Sequence, residues 1–134
     1  MLNFYDLHLL PGDRVLIPKS LFNLVQHHAI YAGKGWFYEN VIGKGVVLTH
    51  YARIFKDGPS ITSISRLNAN DHERHLALRR AQKLIGTPYH LTNFNCEHFA
   101  NYVQYGRSGS KQVESVIGLG AVALFVIATV RASR

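Results

Sequence analysis

The sequence predicts an α+β fold, and three observations predict it. Short β-prone runs bounded by Gly- and Pro-containing turns fill the first half of the chain. Two capped segments of helical periodicity fill the second. Strands followed by helices make an α+β chain, read as an antiparallel sheet packed on helices. A last uncharged run, Ser115 to Val130, reads as a C-terminal hydrophobic helix.

The elements follow in order. "LLPGDRVLIP" opens with a Pro-Gly-Asp turn and continues as a β-branched strand from Arg14 to Ile17. "QHHAIYAGKGWFYENVI" is a hairpin, its two apolar and aromatic runs flanking Gly33–Lys34–Gly35, where glycine supplies positive φ. "KGVVLTHYARI" and "SITSISRL" are further strands, separated by the turn-like "KDGPS". "NANDHERHLALRRAQKLIG" is a helix with Asn70 or Asp71 as cap, Glu73 in the first turn, and Gly86 with Pro88 at its end. A second helix is expected from about Cys96 to Tyr105, capped by Asn95 and stopped by Gly106. "RSGSK" is a flexible joint to the tail. Sixteen uncharged residues fall short of the roughly 20 that usually span a bilayer. Arg131 and Arg134 beyond them, and small Gly and Ala positions within, suit a segment inserted in or lying against lipid. The plainer alternative is a core helix or an oligomer contact. A helix apolar all round is hard to bury in so small a domain, and that favours lipid.

At 134 residues and 47% hydrophobic, the chain suits one core and shows no compositional sign of disorder. One cysteine excludes an intrachain disulfide and makes a reducing, cytosolic setting the expectation. "MLNFYDLHLL" has no basic head and carries Asp6, so it does not read as a signal peptide. The net charge of +7 suits an anionic partner, with a plain solvated basic surface as the alternative. No nucleic-acid motif is present, and none is expected as partner.

The chemistry centres on Cys96. At the first turn of a helix it sits at the positive end of the backbone dipole, which favours the attacking thiolate. Cys96, Phe99 and Val103 share one helix face, so the sulfur should point towards the sheet. His98, about 200° away around the helix, is a poor base, and Glu97–His98 read as cap and core. The base should therefore come from the hairpin, where His27 and His28 face opposite sides. A three-residue loop at Gly33–Gly35 places Glu39 on the His27 face, diagonal to it; a two-residue loop would bring Asn40 there instead. Either offers an oxygen acceptor to hold the imidazole. Against this stands the reading of a lone buried cysteine as inert packing.

"NCEHFANYVQYG", preceded by "PYHLTNF", resembles the signature of the lecithin:retinol acyltransferase-like family, which includes small phospholipase/acyltransferases. "PGDRV" and "HHAIYAGKGWFYE" resemble that family's opening Gly-Asp strand and His-box hairpin, and the likeness spans about Pro11 to Gly106. The resemblance implies a circularly permuted papain-like (NlpC-type) domain, with histidine before cysteine. It implies Cys96 as nucleophile and His27 as general base. The third polar position, usually a histidine in the family, falls on Glu39, which favours the three-residue loop; Asn40 stays in reserve. The implied chemistry is acyl transfer from phospholipid esters through a cysteine thioester, without cofactor or metal.

On this reading residues 1–106 form the catalytic domain, 107–111 a linker, and 112–134 an anchor holding the protein at the cytoplasmic face of a membrane. The partners are phospholipid and an acyl acceptor. Two rivals share the features: a papain-like peptidase or amidase, and a non-catalytic membrane adaptor. His72 and His75, at i and i+3, lack a completing ligand set and read as surface residues. His50 and His90 carry no assigned role, and Trp36–Phe37–Tyr38 read as core and groove wall.

Overall fold

The computed structural model describes residues 4–19, 26–56 and 61–107. The expected linker beyond Arg107 and the hydrophobic tail lie outside the described residues. Among the described residues, no helix is long and apolar enough to cross a membrane.

A 3-10 turn, Phe4–Leu7, precedes the strands β1 (Arg14–Pro18), β2 (Gln26–Gly33), β3 (Trp36–Val41) and β4 (Gly45–His50). A one-turn helix α1 (Tyr51–Ile54), a short strand β5 (Ser63–Ser65) and the helices α2 (Asp71–Lys83) and α3 (Cys96–Tyr105) follow. The strands form one sheet in the order β4-β3-β2-β1-β5, and every neighbouring pair is antiparallel. The expected α+β class, the strands and the two capped helices are therefore present. The one-turn helix α1 was not foreseen within "THYARI"; His50 caps it, its Nδ1 accepting from Ala52 N–H at 3.3 Å.

The β2–β3 turn sets the register on which the site depends. Gly33, Lys34 and Gly35 all have positive φ, at 100°, 53° and 83°, backbone that glycine adopts without steric cost. Gly33 pairs with Trp36, so the turn is the two residues Lys34–Gly35 and not the expected three. A bulge between Tyr31 and Gly33 then shifts the register and sets Ala29 opposite Glu39, the pairing expected from the longer loop. His27 and Glu39 thus share a face of the sheet.

Each face has its own core. Ile30 and Val46 pack with Leu67 beneath Ala77 and Ala81 of α2 and Phe99, Ala100 and Val103 of α3. On the other face Val15, Ala29 and Phe37 meet Phe4 and Leu7. There the Phe4 ring stacks on Tyr51 with centroids 4.5 Å apart. Asp13, fully buried, joins the segments that enclose the first core. Its carboxylate accepts from the backbone N–H groups of Leu10 and Leu67 and pairs with Arg66 and Arg74. Burial alone would raise its proton affinity; these four donors outweigh that and hold it below the ordinary value.

Candidate active site

The cap of α3 explains the spacing of the Asn-Cys-Glu-His string. Asn95 Oδ1 accepts from the backbone N–H of both Glu97 and His98, each at 3.0 Å. His98 Nδ1 accepts in return from Asn95 N–H at 3.2 Å, so an imidazole closes the capping box where Glu or Gln usually does. His98 is therefore committed to the cap, as expected. Cys96 is left as the first helical residue, 8% exposed. With the next two N–H groups taken by Asn95, the Cys96 N–H has no acceptor among the described residues.

Strand β3 holds that cap in place. Asn40, fully buried, donates through Nδ2 to the carbonyl oxygens of Phe94 at 2.9 Å and Asn95 at 3.2 Å. The residue kept in reserve for orienting the imidazole instead clamps the turn that presents Cys96. Glu39, not Asn40, meets the ring, with His27 Nε2 2.7 Å from Glu39 Oε1 and both side chains buried. That contact occupies Nε2, and Cys96 and His27 stand on the wall of one cavity, close enough for Cys96 to raise the proton affinity of the ring. The thiol also lies 3.6 Å from the Gln26 carbonyl oxygen, at the first residue of β2. The structure thus brings Cys96, His27 and Glu39 together at the start of that strand.

Electrostatics favour a charged pair. Burial pushes the His27 proton affinity down, but its interactions with Cys96 and Glu39 outweigh burial and raise it above the ordinary histidine value. Burial would raise that of Glu39, yet the hydrogen bonds from His27 and Thr49, with Lys19 nearby, carry it below the ordinary carboxylate value. His28 faces the helices and behaves oppositely: burial, then the adjacent Arg14 guanidinium, lower it to about 4. Arg14 reaches His28 Nδ1 at 3.3 Å, Gln104 Oε1 at 3.0 Å and Asn101 Oδ1 at 2.7 Å, tying α3 to the sheet.

A cavity of about 260 Å³ lies over the sulfur, with Cys96, His27, Asn40, Ile42 and Tyr89 among its walls. Burial, then the neighbouring Cys96, push the Tyr89 hydroxyl up to about 12. Sequence reasoning gave Tyr89 and the Gln26 carbonyl no role. Tyr89 lies in "TPYHLT", a stretch without periodicity, and a backbone oxygen leaves no mark in a sequence. His50 and His90 prove to be local turn residues; His90 Nδ1 accepts from Asn93 N–H. His72 and His75 are exposed on α2.

Comparison with known proteins bears on the same residues. The lecithin retinol acyltransferase family model matches residues 8–109, a span that includes both His27 and Cys96. Human phospholipase A and acyltransferase 2 is 33% identical over 138 aligned positions, covering 87% of this chain and 83% of that protein. Human phospholipase A and acyltransferase 3 is 30% identical, covering 87% of each, and the mouse protein of that name is 29% identical. On the extent of these matches, the chain belongs to the lecithin retinol acyltransferase family.

Proposed function

We propose that this protein is a membrane-associated thiol acyltransferase and phospholipase A, acting on phospholipid esters through an acyl-Cys96 intermediate. That it is an enzyme of the acyltransferase and phospholipase class rests on its family and on the names of its relatives. The observation that carries the mechanism is the His27–Glu39 pair at 2.7 Å with Cys96 beside His27 on the wall of one cavity. The permuted papain-like arrangement is supported by the order of base before nucleophile in the chain.

Glu39 accepts from His27 Nε2–H and so fixes the tautomer whose Nδ1 is free to take the thiol proton. The sulfur attacks the ester carbonyl, and Cys96 N–H, left free by the cap, donates to the oxyanion. The proton on Nδ1 passes to the departing glycerol oxygen, leaving a lysophospholipid and a thioester. Water or an acceptor alcohol or amine, deprotonated by the same nitrogen, attacks the thioester; sulfur leaves and is reprotonated. Residues 1–106 hold this chemistry. The uncharged run within 112–134 and the net charge support attachment to the cytoplasmic face of a membrane.

Intact-mass measurement after incubation with phosphatidylcholine vesicles tests the reading. An acyl adduct is expected on Cys96, absent from Cys96→Ala. His27→Ala should lower fatty acid release by about 10²–10⁴-fold. Release that survives in both variants excludes this mechanism.

A further inference from the structure

A second cavity, of about 490 Å³, opens on the other side of His27, on the face of the sheet that bears Glu39. Four cations line it, and they come from separate parts of the chain. Lys19 follows β1, Lys44 sits in the β3–β4 turn, Arg53 belongs to α1, and Lys56 lies just beyond it. Among the described lining residues Glu39 is the only carboxylate, and it is engaged by His27 at 2.7 Å. Among the described residues, none of the four cations is in an ion pair. Converging like charges on one concavity costs self-repulsion, which a bound anion relieves.

The two cavities meet at His27, and Lys19 and Val41 also line both. The β3–β4 turn serves each of them. Ile42, 58% exposed, lies on the sulfur side, and Lys44, two residues on, lies on the cationic side. One turn therefore offers an apolar side chain where an acyl chain leaves Cys96 and an ammonium where a phosphate would lie. We propose that the cationic cavity binds the phosphate of an anionic phospholipid headgroup and thereby seats the acyl ester against Cys96. The headgroup as the source of that phosphate rests on the phospholipase reading above. A zwitterionic headgroup offers the same phosphate but brings its own cation into the site and is held less tightly than a net-negative one.

The test uses the full ¹⁵N-labelled chain in neutral-detergent micelles doped with phosphatidylglycerol or phosphatidylcholine, and, separately, soluble glycerol 3-phosphate. Phosphatidylglycerol and glycerol 3-phosphate are expected to shift the amides of Lys19, Lys44, Arg53 and Lys56. Phosphatidylglycerol should bind about tenfold more tightly than phosphatidylcholine, the effect of a few partly exposed charge contacts. Lys44→Glu with Lys56→Glu should erase that preference, with Lys→Gln at both positions as the gentler pair should the reversal unfold the chain. Arg79→Glu with Lys83→Glu, on the exposed side of α2, should keep it. Equal loss from both pairs would mean diffuse attraction and overturn the site. Shifts with glycerol 3-phosphate but no preference between the lipids would overturn the headgroup assignment. Fatty acid release is read on the same samples; its absence with lipid binding intact would overturn the phospholipase reading and leave this site standing.

Discussion

Glu39 carries a full charge into a position where, by family resemblance, an imidazole is usual. The charge stabilises the protonated form of His27, so the unprotonated base becomes scarce at a higher pH than it otherwise would. The acid limb of kcat/KM should therefore follow His27, and Glu39→Gln, which keeps an acceptor oxygen but removes the charge, should move that limb to lower pH. A pH–rate profile of the variant checks this; an unmoved limb would show that Glu39 does not govern the ring. His28, one residue on, affects stability instead. Its proton affinity is about 4 in the fold and about 6.5 when unfolded. Between those values the unfolded chain binds more protons. This contribution to stability is complete above about pH 6.5 and is lost as pH falls towards 4, at most about 3 kcal/mol. Urea unfolding of His28→Gln should show a correspondingly flatter pH dependence than the native chain.

Both long helices begin with a capping box, and the two boxes do different work. Asn70→Ala removes the cap of α2 and should cost about 1 kcal/mol with turnover unchanged. Asn95→Ala should cost a similar amount and also lower kcat about a hundredfold, because the cap sets where Cys96 sits and a displacement near 1 Å has about that effect. Denaturation and steady-state kinetics on the two variants separate these outcomes. The caps were legible in the sequence because a cap is local chemistry: Asn70 and Asn95, Glu73 and Gly106 act within a few residues of themselves. The hairpin register was only half legible: the residues left Glu39 and Asn40 open, the family resemblance favoured Glu39, and a bulge between Tyr31 and Gly33 puts it opposite Ala29. The role of Asn40 was not legible. Its two bonds join it to carbonyl oxygens 54 and 55 positions away, and no local pattern distinguishes that clamp from a contact with the neighbouring ring.

At the scale of the whole molecule, charge and covering decide what the chain can approach. The net charge of +7 was plain from composition; its gathering around one cavity was not, since Lys19, Lys44, Arg53 and Lys56 belong to no common run. Among the described residues, both apolar cores lie within residues 4–103. Removal of residues 112–134 should therefore leave a chain with native-like circular dichroism, and vesicle flotation should show it largely released from lipid. An insoluble truncated chain would place the tail in the core instead.

The sulfur rests against the Gln26 carbonyl, 70 positions earlier in the chain. A ribosome that has made the hairpin has made the proposed base without its proposed nucleophile, which comes only with α3. On the proposed mechanism, a nascent chain cannot attack lipid before α3 has been made.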